Sequence, residues 1–336
     1  MSEEPAPTIY DVAKRAGVAP STVSRALSRP GRITSQTEAK VRAAAEELGY
    51  LGRNRSPVAR QDTRLLAITV ADLSNPFYSQ LVRGAQIACG HAGYELILAD
   101  FHESSAREQA EHERLVDIVD GLVIGSSRLS DSLLRGIAKR KPTVVVSREL
   151  RGVTSLIPDN TAGIRAVLKL LHEFGHTSVT YVAGPEASWA DGARYRAVCE
   201  FSAAAGRSVQ RIGPFLPTFE DGMAAARQLV DSPPTAIIAH NDMMAIGVMH
   251  GLMSAGIRIP EDVSIVGIDD ILSARLVTPK LTTIALPALH LGMVAVRNLI
   301  ALIRGATPTA DSALVMPVQI KIRESTGPVR RSRTLR

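Results

Sequence analysis

The sequence predicts an α/β protein in two parts: a three-helix headpiece holding a helix-turn-helix unit, then a two-lobed core of doubly wound parallel sheets. Three observations carry this reading. Helical hydrophobic stripes fill the first fifty residues, and a polar, arginine-rich segment follows them. From residue 65 onward, short runs rich in Val and Ile alternate with amphipathic stretches. A chain of 336 residues, 45% of them apolar, can fill roughly one to three packed domains and is not disordered throughout. The expected partition is a headpiece over 1–51 (motif about 9–28), a hinge or linker over 52–64, a core over 65–327 and a basic tail over 328–336.

In the headpiece, Ile9, Val12, Ala13 and Ala16 recur at helical spacing and Gly17 stops the pattern. Pro20 suits the first turn of a second helix, because its missing N–H would be unpaired there anyway. That helix runs to about Ser28, turning Val23, Ala26 and Leu27 inward and Ser21, Thr22, Ser24 and Arg25 outward, until Arg29-Pro30-Gly31 breaks it. Ser35-Gln36-Thr37-Glu38 reads as a capping box opening a third helix that ends at Gly49. Two short helices joined by a Gly-containing turn and buttressed by a third make a helix-turn-helix unit.

Gly52–Arg64 is polar, carries four arginines against Asp62, contains Pro57 and reads as a linker. Beyond it the apolar runs are 65–70, 95–100, 121–126, 143–147, 178–184, 236–240 and 264–269. Each is apolar on successive residues, as expected of strands covered on both faces. Amphipathic stretches such as Pro76–His91, Thr161–Phe174 and Asp242–Ala255 lie between them. Roughly 265 residues exceed one open sheet, so two similar halves around a cleft are expected, with ligands at the carboxyl ends of the strands.

Charge and composition narrow the function. Residues 1–64 hold 11 Lys/Arg against 7 Asp/Glu, and Arg330–Arg336 holds four arginines and no acid, while the body between is close to neutral. Basic ends on a neutral body fit a polyanion bound at one end. Cys89 and Cys199 stand alone, which argues against a disulfide framework or a zinc cluster. The amino terminus has no apolar signal core and no apolar stretch approaches about 18 residues, so a cytosolic protein with no membrane partner is expected. No GxxxxGK[ST], HExxH or GxSxG is present. His176 and His240 lack metal-ligand spacing, and His102, Glu111 and His112 read as a solvated helix face. No enzymatic activity, metal or cofactor is therefore expected.

The second helix fits DNA physically. Arg25 can make a bidentate pair with guanine in the major groove, and Ser21, Thr22 and Ser24 can reach base edges or phosphates. Arg29, Arg32 and Thr34 would grip the backbone. The alternative is a small helical cap whose serines are merely solvated.

Thr8–Val18 (TIYDVAKRAGV) followed by Ser21–Leu27 (STVSRAL) resembles the headpiece of the lactose-repressor (LacI/GalR) family of transcriptional regulators. The similarity continues through LSNPFY (73–78), the GPEASW segment with Arg194, HNDMMAIG (240–247), IPEDVSIVGIDD (259–270), LTTI (281–284) and RES (323–325). The resemblance implies a DNA-binding regulator, most often a repressor, reading a pseudopalindromic double-stranded operator as a homodimer under control of a small-molecule effector. Its operator contacts map onto Pro20, Ser21 and Arg25, with Thr8, Ile9, Tyr10, Thr22, Ser24, Ser28, Arg32 and Thr34 around them. In the family a hinge helix inserts a leucine into the minor groove. Here Ala59 falls at that position, Pro57 lies within the hinge and Gly52 replaces the usual proline, so weaker bending of the duplex is expected.

The core of the resemblance is that of periplasmic sugar-binding proteins, which implies effector contacts from Asn75, Phe77, Tyr78, Ser147, Arg148, Arg194, Asn241 and Asp269, with Trp189 as a stacking surface. Such side chains pair with hydroxyls, and an aromatic face stacks on a sugar ring, so a carbohydrate is the expected effector. A nucleobase or nucleoside is the alternative, and a sugar-binding protein without DNA activity the more distant one. Plainer roles stand beside these: Asn241 and Asp242 as helix caps, Asp269-Asp270 as a turn, Phe77 and Trp189 as packing. Leu286 stands where the family often has glutamine and Pro217 where some members have an aromatic. No leucine heptads follow the last strand, so a dimer rather than a tetramer is expected.

Overall fold

The computed structural model describes residues 7–28, 33–48, 50, 63–307 and 313–329. They form two compact units, divided between Thr63 and Arg64. The expected linker therefore falls almost wholly outside the described residues, as do Arg32, Ala59 and the arginines of the tail.

The first unit holds α1 (Ile9–Ala16), α2 (Pro20–Ser28) and α3 (Ser35–Glu47). Val12, Ala13, Val23, Ala26, Val41, Ala44 and Ala45 make its core, with Leu27 and Leu48 against it. Small alanines let three short helices approach closely, which is how so few residues enclose a core. Gly17 closes α1 in the left-handed conformation, with φ 68°. A capping box forms at α1, where Asp11 Oδ2 accepts from both Thr8 N (2.7 Å) and Thr8 Oγ1 (2.6 Å). The backbone N-cap of α3 is Thr34, and the side chain of Ser35 lies outside the described residues. Arg15 pairs with Glu47, tying α1 to α3.

The second unit holds two six-stranded sheets. The first runs β11-β5-β4-β3-β1-β2, from β1 (Leu65–Val70), β2 (Glu95–Asp100), β3 (Gly121–Gly125), β4 (Thr143–Val146), β5 (Thr154–Pro158) and β11 (Leu314–Met316). The second runs β12-β10-β9-β8-β6-β7, from β6 (Ser178–Val182), β7 (Ser208–Ile212), β8 (Ala236–Ala239), β9 (Ser264–Asp269), β10 (Thr282–Ala285) and β12 (Gln319–Lys321). Each lobe repeats the same winding: its first strand lies between its second and third, so the order reverses direction there and opens a crevice. All pairings are parallel except β10 with β12.

Three connections cross between the lobes. β5 leads into α7 (Asn160–Glu173), β10 into α12 (Ala288–Ile303), and β11 into β12. The first and third are tied by Asp159 N donating to Met316 O at 2.8 Å. Helix α12 packs back on β3, β4 and β5 of the first lobe and on α4 (Pro76–Ala92). No described helix is long and apolar enough to cross a membrane.

Several expectations need correcting. β2, expected to be covered on both faces, is a half-exposed edge strand, and β7, which the apolar runs did not mark, is another. His112 is not solvated: it is 1% exposed on α5 (Ser105–Ile118), with Nε2 3.2 Å from Thr69 Oγ1, and burial pushes its pKa down to about 4. His102 is exposed, but in the turn before that helix. Pro328 and Val329, read as the start of a tail, continue the core, where Val329 N donates to Phe174 O at 2.8 Å.

Each lobe closes on a pair of glycines where two helices cross. A Cβ on Gly84 of α4 would lie 1.9 Å from Leu289 O, and one on Gly292 of α12 would lie 2.0 Å from Leu81 O. In the second lobe, Gly222 of α9 (Phe219–Arg227) and Gly247 of α10 (Asp242–Ser254) stand in the same relation, at 2.3 Å from Met244 O and 2.1 Å from Phe219 O. Substituting Gly84 or Gly247 by Ala is expected to destabilise the core by about 1–3 kcal/mol in urea unfolding, since backbone has to move. Gly136→Ala, in an exposed helical position with nothing within 4 Å, is expected to raise stability by about 0.5–1 kcal/mol. Equal effects at the three positions would refute the crossing argument.

Candidate functional sites: a helical face and an interlobe cavity

On α2 the apolar stripe turns Val23 and Ala26 inward, which leaves Pro20, Ser21, Ser24 and Arg25 exposed and Thr22 half-buried. Ala19 precedes the helix, and its carbonyl accepts from Thr22 N (2.8 Å) and Val23 N (3.1 Å). A helix amino terminus so placed offers an N–H and a positive dipole end to an anion. Tyr10 is 70% exposed on α1, where Ile9 is half-buried. Thr34 is exposed, with its hydroxyl 2.8 Å from that of Thr37, while the hydroxyl of Thr8 is committed to Asp11. Ser28 ends α2, and its side chain lies outside the description.

The second candidate is a cavity between the two lobes of the core. It is lined by Asn75, Phe77 and Tyr78 after β1, Ser126 and Arg128 after β3, and Ser147 after β4. From the other lobe come Ser188, Ala190 and Arg194 on and before α8 (Trp189–Ala204), Pro217 after β7, His240 and Asn241 after β8, and Asp269 at the end of β9. The two crevices opened by the strand order thus face each other. Ser126 (φ 52°), Ser147 (φ 61°) and Asp269 (φ 130°) hold left-handed backbone there, a strain that concentrates at binding sites.

Hydrogen bonds fix most of these groups. Asn75 caps α4, taking Phe77 N at 3.0 Å, and reaches across the cleft to Asp269 at 3.4 Å. Arg194, one turn into α8, donates to Asn160 Oδ1 (3.2 Å) and His240 O (2.6 Å). Asn241 caps α10 and also donates to Pro217 O at 3.0 Å, so its capping and lining roles coincide. Arg128 is held by both oxygens of Glu103 (2.6 and 2.9 Å) and by Ser126 O (2.9 Å).

Seven of the nine residues expected at the ligand come together around the cavity. Two do not. Arg148 is buried, but its guanidinium goes to Leu129 O and Asp131, on the far side of the loops. Trp189 is half-buried at the start of α8 and is not in the lining, so no stacking surface comes from it. Sequence reasoning missed Ser126, Arg128, Ser188, Ala190 and His240. Their signal was positional: Ser126, Arg128 and His240 lie just past a strand's carboxyl end, and Ser188 and Ala190 at the start of the helix that follows β6.

Behind the cavity sits a second carboxyl. Asp242 accepts from Thr283 Oγ1 (2.6 Å) and Ile271 N (2.9 Å) and so holds the turn that presents Asp269. Burial, with Asp269 beside it, pushes Asp242 up to about 8. Burial also raises Asp269, to about 6, against the opposing pull of Arg194 and the bond from Asn75. On the surface, Asp72, Asp100 and His102 come within 4.8 Å of one another, but the two carboxylates already accept from loop N–H groups.

Residues 8–52 match the family described as bacterial regulatory proteins, lacI family, and residues 168–326 match a periplasmic binding protein-like domain. The HTH-type transcriptional repressor CytR of Escherichia coli K12 is 33% identical across 96% of this chain and 97% of its own. The ribose operon repressor of the same strain is 33% identical across 93% and 97%. Among solved structures, a CelR–cellobiose complex superposes with a TM-score of 0.70 at 29% identity, covering 95% of this chain and 99% of that one. A regulator from Enterococcus faecium with bound ribose gives 0.70 at 27%, covering 79% and 100%. The lac repressor dimer bound to operator shares the fold, with a TM-score of 0.71 at 24% identity over 96% of this chain and 100% of that one.

The buried carboxyls set a pH dependence. A carboxyl raised in the folded state binds its proton more tightly there, so its stabilisation is complete below the unfolded value and is lost as pH rises through the folded one. Asp242 is expected to make stability fall between pH about 4 and about 8, while buried His112, lowered to about 4, opposes it below about pH 6.5. Asp242→Asn is expected to remove the falling part, read as the difference in urea midpoints between wild type and variant against pH. An unchanged slope in the variant would assign the dependence elsewhere.

Proposed function

The chain belongs to the lacI family of bacterial regulatory proteins, DNA-binding transcriptional repressors under effector control, and from that premise we propose its particular workings. It acts as a homodimer on a pseudopalindromic operator, and a small carbohydrate in the interlobe cavity sets its affinity. The observation that carries this is the pairing of an exposed arginine face on α2 with a cavity to which both lobes of the core contribute.

On the DNA side, Arg25 reads guanine, Ser21 reaches base edges or phosphate, and Pro20 adds only an apolar ring. One headpiece spans only a few base pairs, so two related by a dyad are needed to select a site. Exposed Leu98 on β2, and Leu272 (62%) and Leu276 (72%) beside and on α11 (Ser273–Leu276), offer apolar surface for a second copy.

On the effector side, Asp269 accepts and Arg194 donates, a combination suited to neighbouring hydroxyls. Relatives named for ribose and cellobiose support the sugar reading. The mechanism is linkage: a ligand that prefers one arrangement of the lobes shifts the population, and operator affinity shifts with it by the same free energy.

Two measurements test this. Affinity for a selected operator is expected to fall linearly with salt on logarithmic axes, and Arg25→Ala to lose about 1–3 kcal/mol of discrimination while core stability is kept. Arg194→Ala is expected to bind operator normally and to lose all response to a sugar panel in thermal shift. Operator choice unchanged by Arg25→Ala, or a sugar response surviving Arg194→Ala, would each overturn its half.

A further inference from the structure

His240 follows β8 and is 6% exposed, and its ring lies flat over Gly184, where a Cβ would come within 2.6 Å of the ring. Its Nδ1 is 2.9 Å from Asp191 Oδ1. Asp191 cannot be the donor in that contact. The same oxygen accepts from Gly184 N at 2.7 Å and Tyr181 OH at 2.8 Å, and Arg211 approaches the other oxygen at 3.3 Å. Burial raises the Asp191 carboxyl, but the bonds from His240, Gly184 and Tyr181 outweigh it and hold the group well below the ordinary range. The proton on the imidazole therefore sits on Nδ1.

A second proton on the ring is disfavoured. Burial lowers the pKa of His240 against the pull of Asp191, and Arg194, which donates to the carbonyl of His240 itself, pushes in the same direction as burial. A neutral ring with Nδ1 protonated has a bare lone pair at Nε2. His240 lines the cavity, and its only side-chain hydrogen bond among the described residues is the one at Nδ1.

The charges around that lone pair balance. Arg128 is matched by Glu103, which takes it with both oxygens, and Arg194 faces Asp269. The cavity thus offers two acceptors, Nε2 and the Asp269 carboxylate, and no surplus positive charge. A phosphate would add negative charge beside the Asp269 carboxylate, with each lining arginine already matched by an acid.

We propose that His240 is a specificity-determining residue of the effector site: its Nε2 accepts a hydrogen bond from the ligand, and the ligand is an uncharged donor-bearing molecule, not a phosphorylated one. This rests on the effector reading above and narrows it.

The test uses the full chain labelled with ¹⁵N-histidine, and a panel of ribose, glucose and uridine beside ribose 5-phosphate, glucose 6-phosphate and uridine monophosphate. The His240 signal, assigned by its absence in His240→Phe, is expected to show the Nδ1–H neutral tautomer at pH 7. Calorimetry is expected to find a neutral member that binds while its phosphate fails to compete at large excess. His240→Phe should weaken that neutral probe roughly tenfold, the equivalent of one hydrogen bond, and His240→Gln, which carries an acceptor oxygen, should recover part of the loss. Should His240→Phe fail to fold, His240→Gln and the wild-type spectrum still decide. An Nε2–H tautomer, an imidazolium, or a phosphate that binds as well as its parent would overturn the proposal. A protein that binds operator yet takes up nothing from the panel defeats the sensing reading instead, and the tautomer then stands or falls on its spectrum.

Discussion

Asn75 and Asp269 meet across the cleft at 3.4 Å, and the arrangement of the core turns on that contact. Each is anchored in its own lobe: Asn75 by capping α4, Asp269 by a turn that Asp242 holds from below. The bond between them is long and sits beside a cavity, so it adds little to stability by itself. That weakness is useful. A strong bond would lock the lobes, whereas a marginal one leaves their arrangement open to a ligand that supplies better partners to the same two groups. The chain crosses between the lobes three times, and Asp159 ties two of those crossings together through Met316.

The rigidity needed on either side of those crossings comes from close helix contacts rather than bulk. Gly84 with Gly292, and Gly222 with Gly247, bring backbones together at one crossing in each lobe. Interiors packed at such distances switch between discrete arrangements instead of deforming smoothly. Displacement at the cavity is thereby carried through each lobe as a unit. The left-handed residues at the strand ends fit the same scheme, since Ser126, Ser147 and Asp269 hold strained conformations that only a stiff surrounding frame can maintain.

Much of this was legible in the sequence, and what was not had physical reasons. The buried central strands of both sheets announced themselves as apolar runs, because both of their faces are covered. Edge strand β7 (SVQRI) alternates polar residues and gave no such signal, and β5 and β10 are too short and rich in Ser and Thr to stand out. Helices α1 and α2 were read to the residue because Gly17 and Pro20 punctuate them. In the site, Asn75, Asn241 and Asp269 were found where a motif marked them, while His240 and Ser188, inside the HNDMMAIG and GPEASW segments, were passed over. Arg128 and Ser126 lie in a loop without periodicity, so only folding reveals that Glu103 and the Ser126 carbonyl aim that arginine. Arg148 and Trp189 show the converse: correct placement along the chain does not fix where a side chain points.

Asp242 poses the remaining question of why a site would keep a buried acid. Two donors converge on it, Thr283 Oγ1 and Ile271 N, from two different segments, and a carboxyl is the smallest side chain able to accept both in a bidentate manner. An asparagine has one acceptor oxygen and an NH2 with no lone pair to offer the second donor, whereas both oxygens of a carboxyl can accept even when one carries the proton. Gly267, where a Cβ would lie 2.1 Å from Asp242 Oδ1, leaves the room the carboxyl needs. Holding its proton at neutral pH spares the fold a second buried negative charge next to Asp269. The acid is thus retained for geometry and kept neutral by burial and by its neighbour, so the one charge that the turn presents to the cavity is the one that can pair with Arg194.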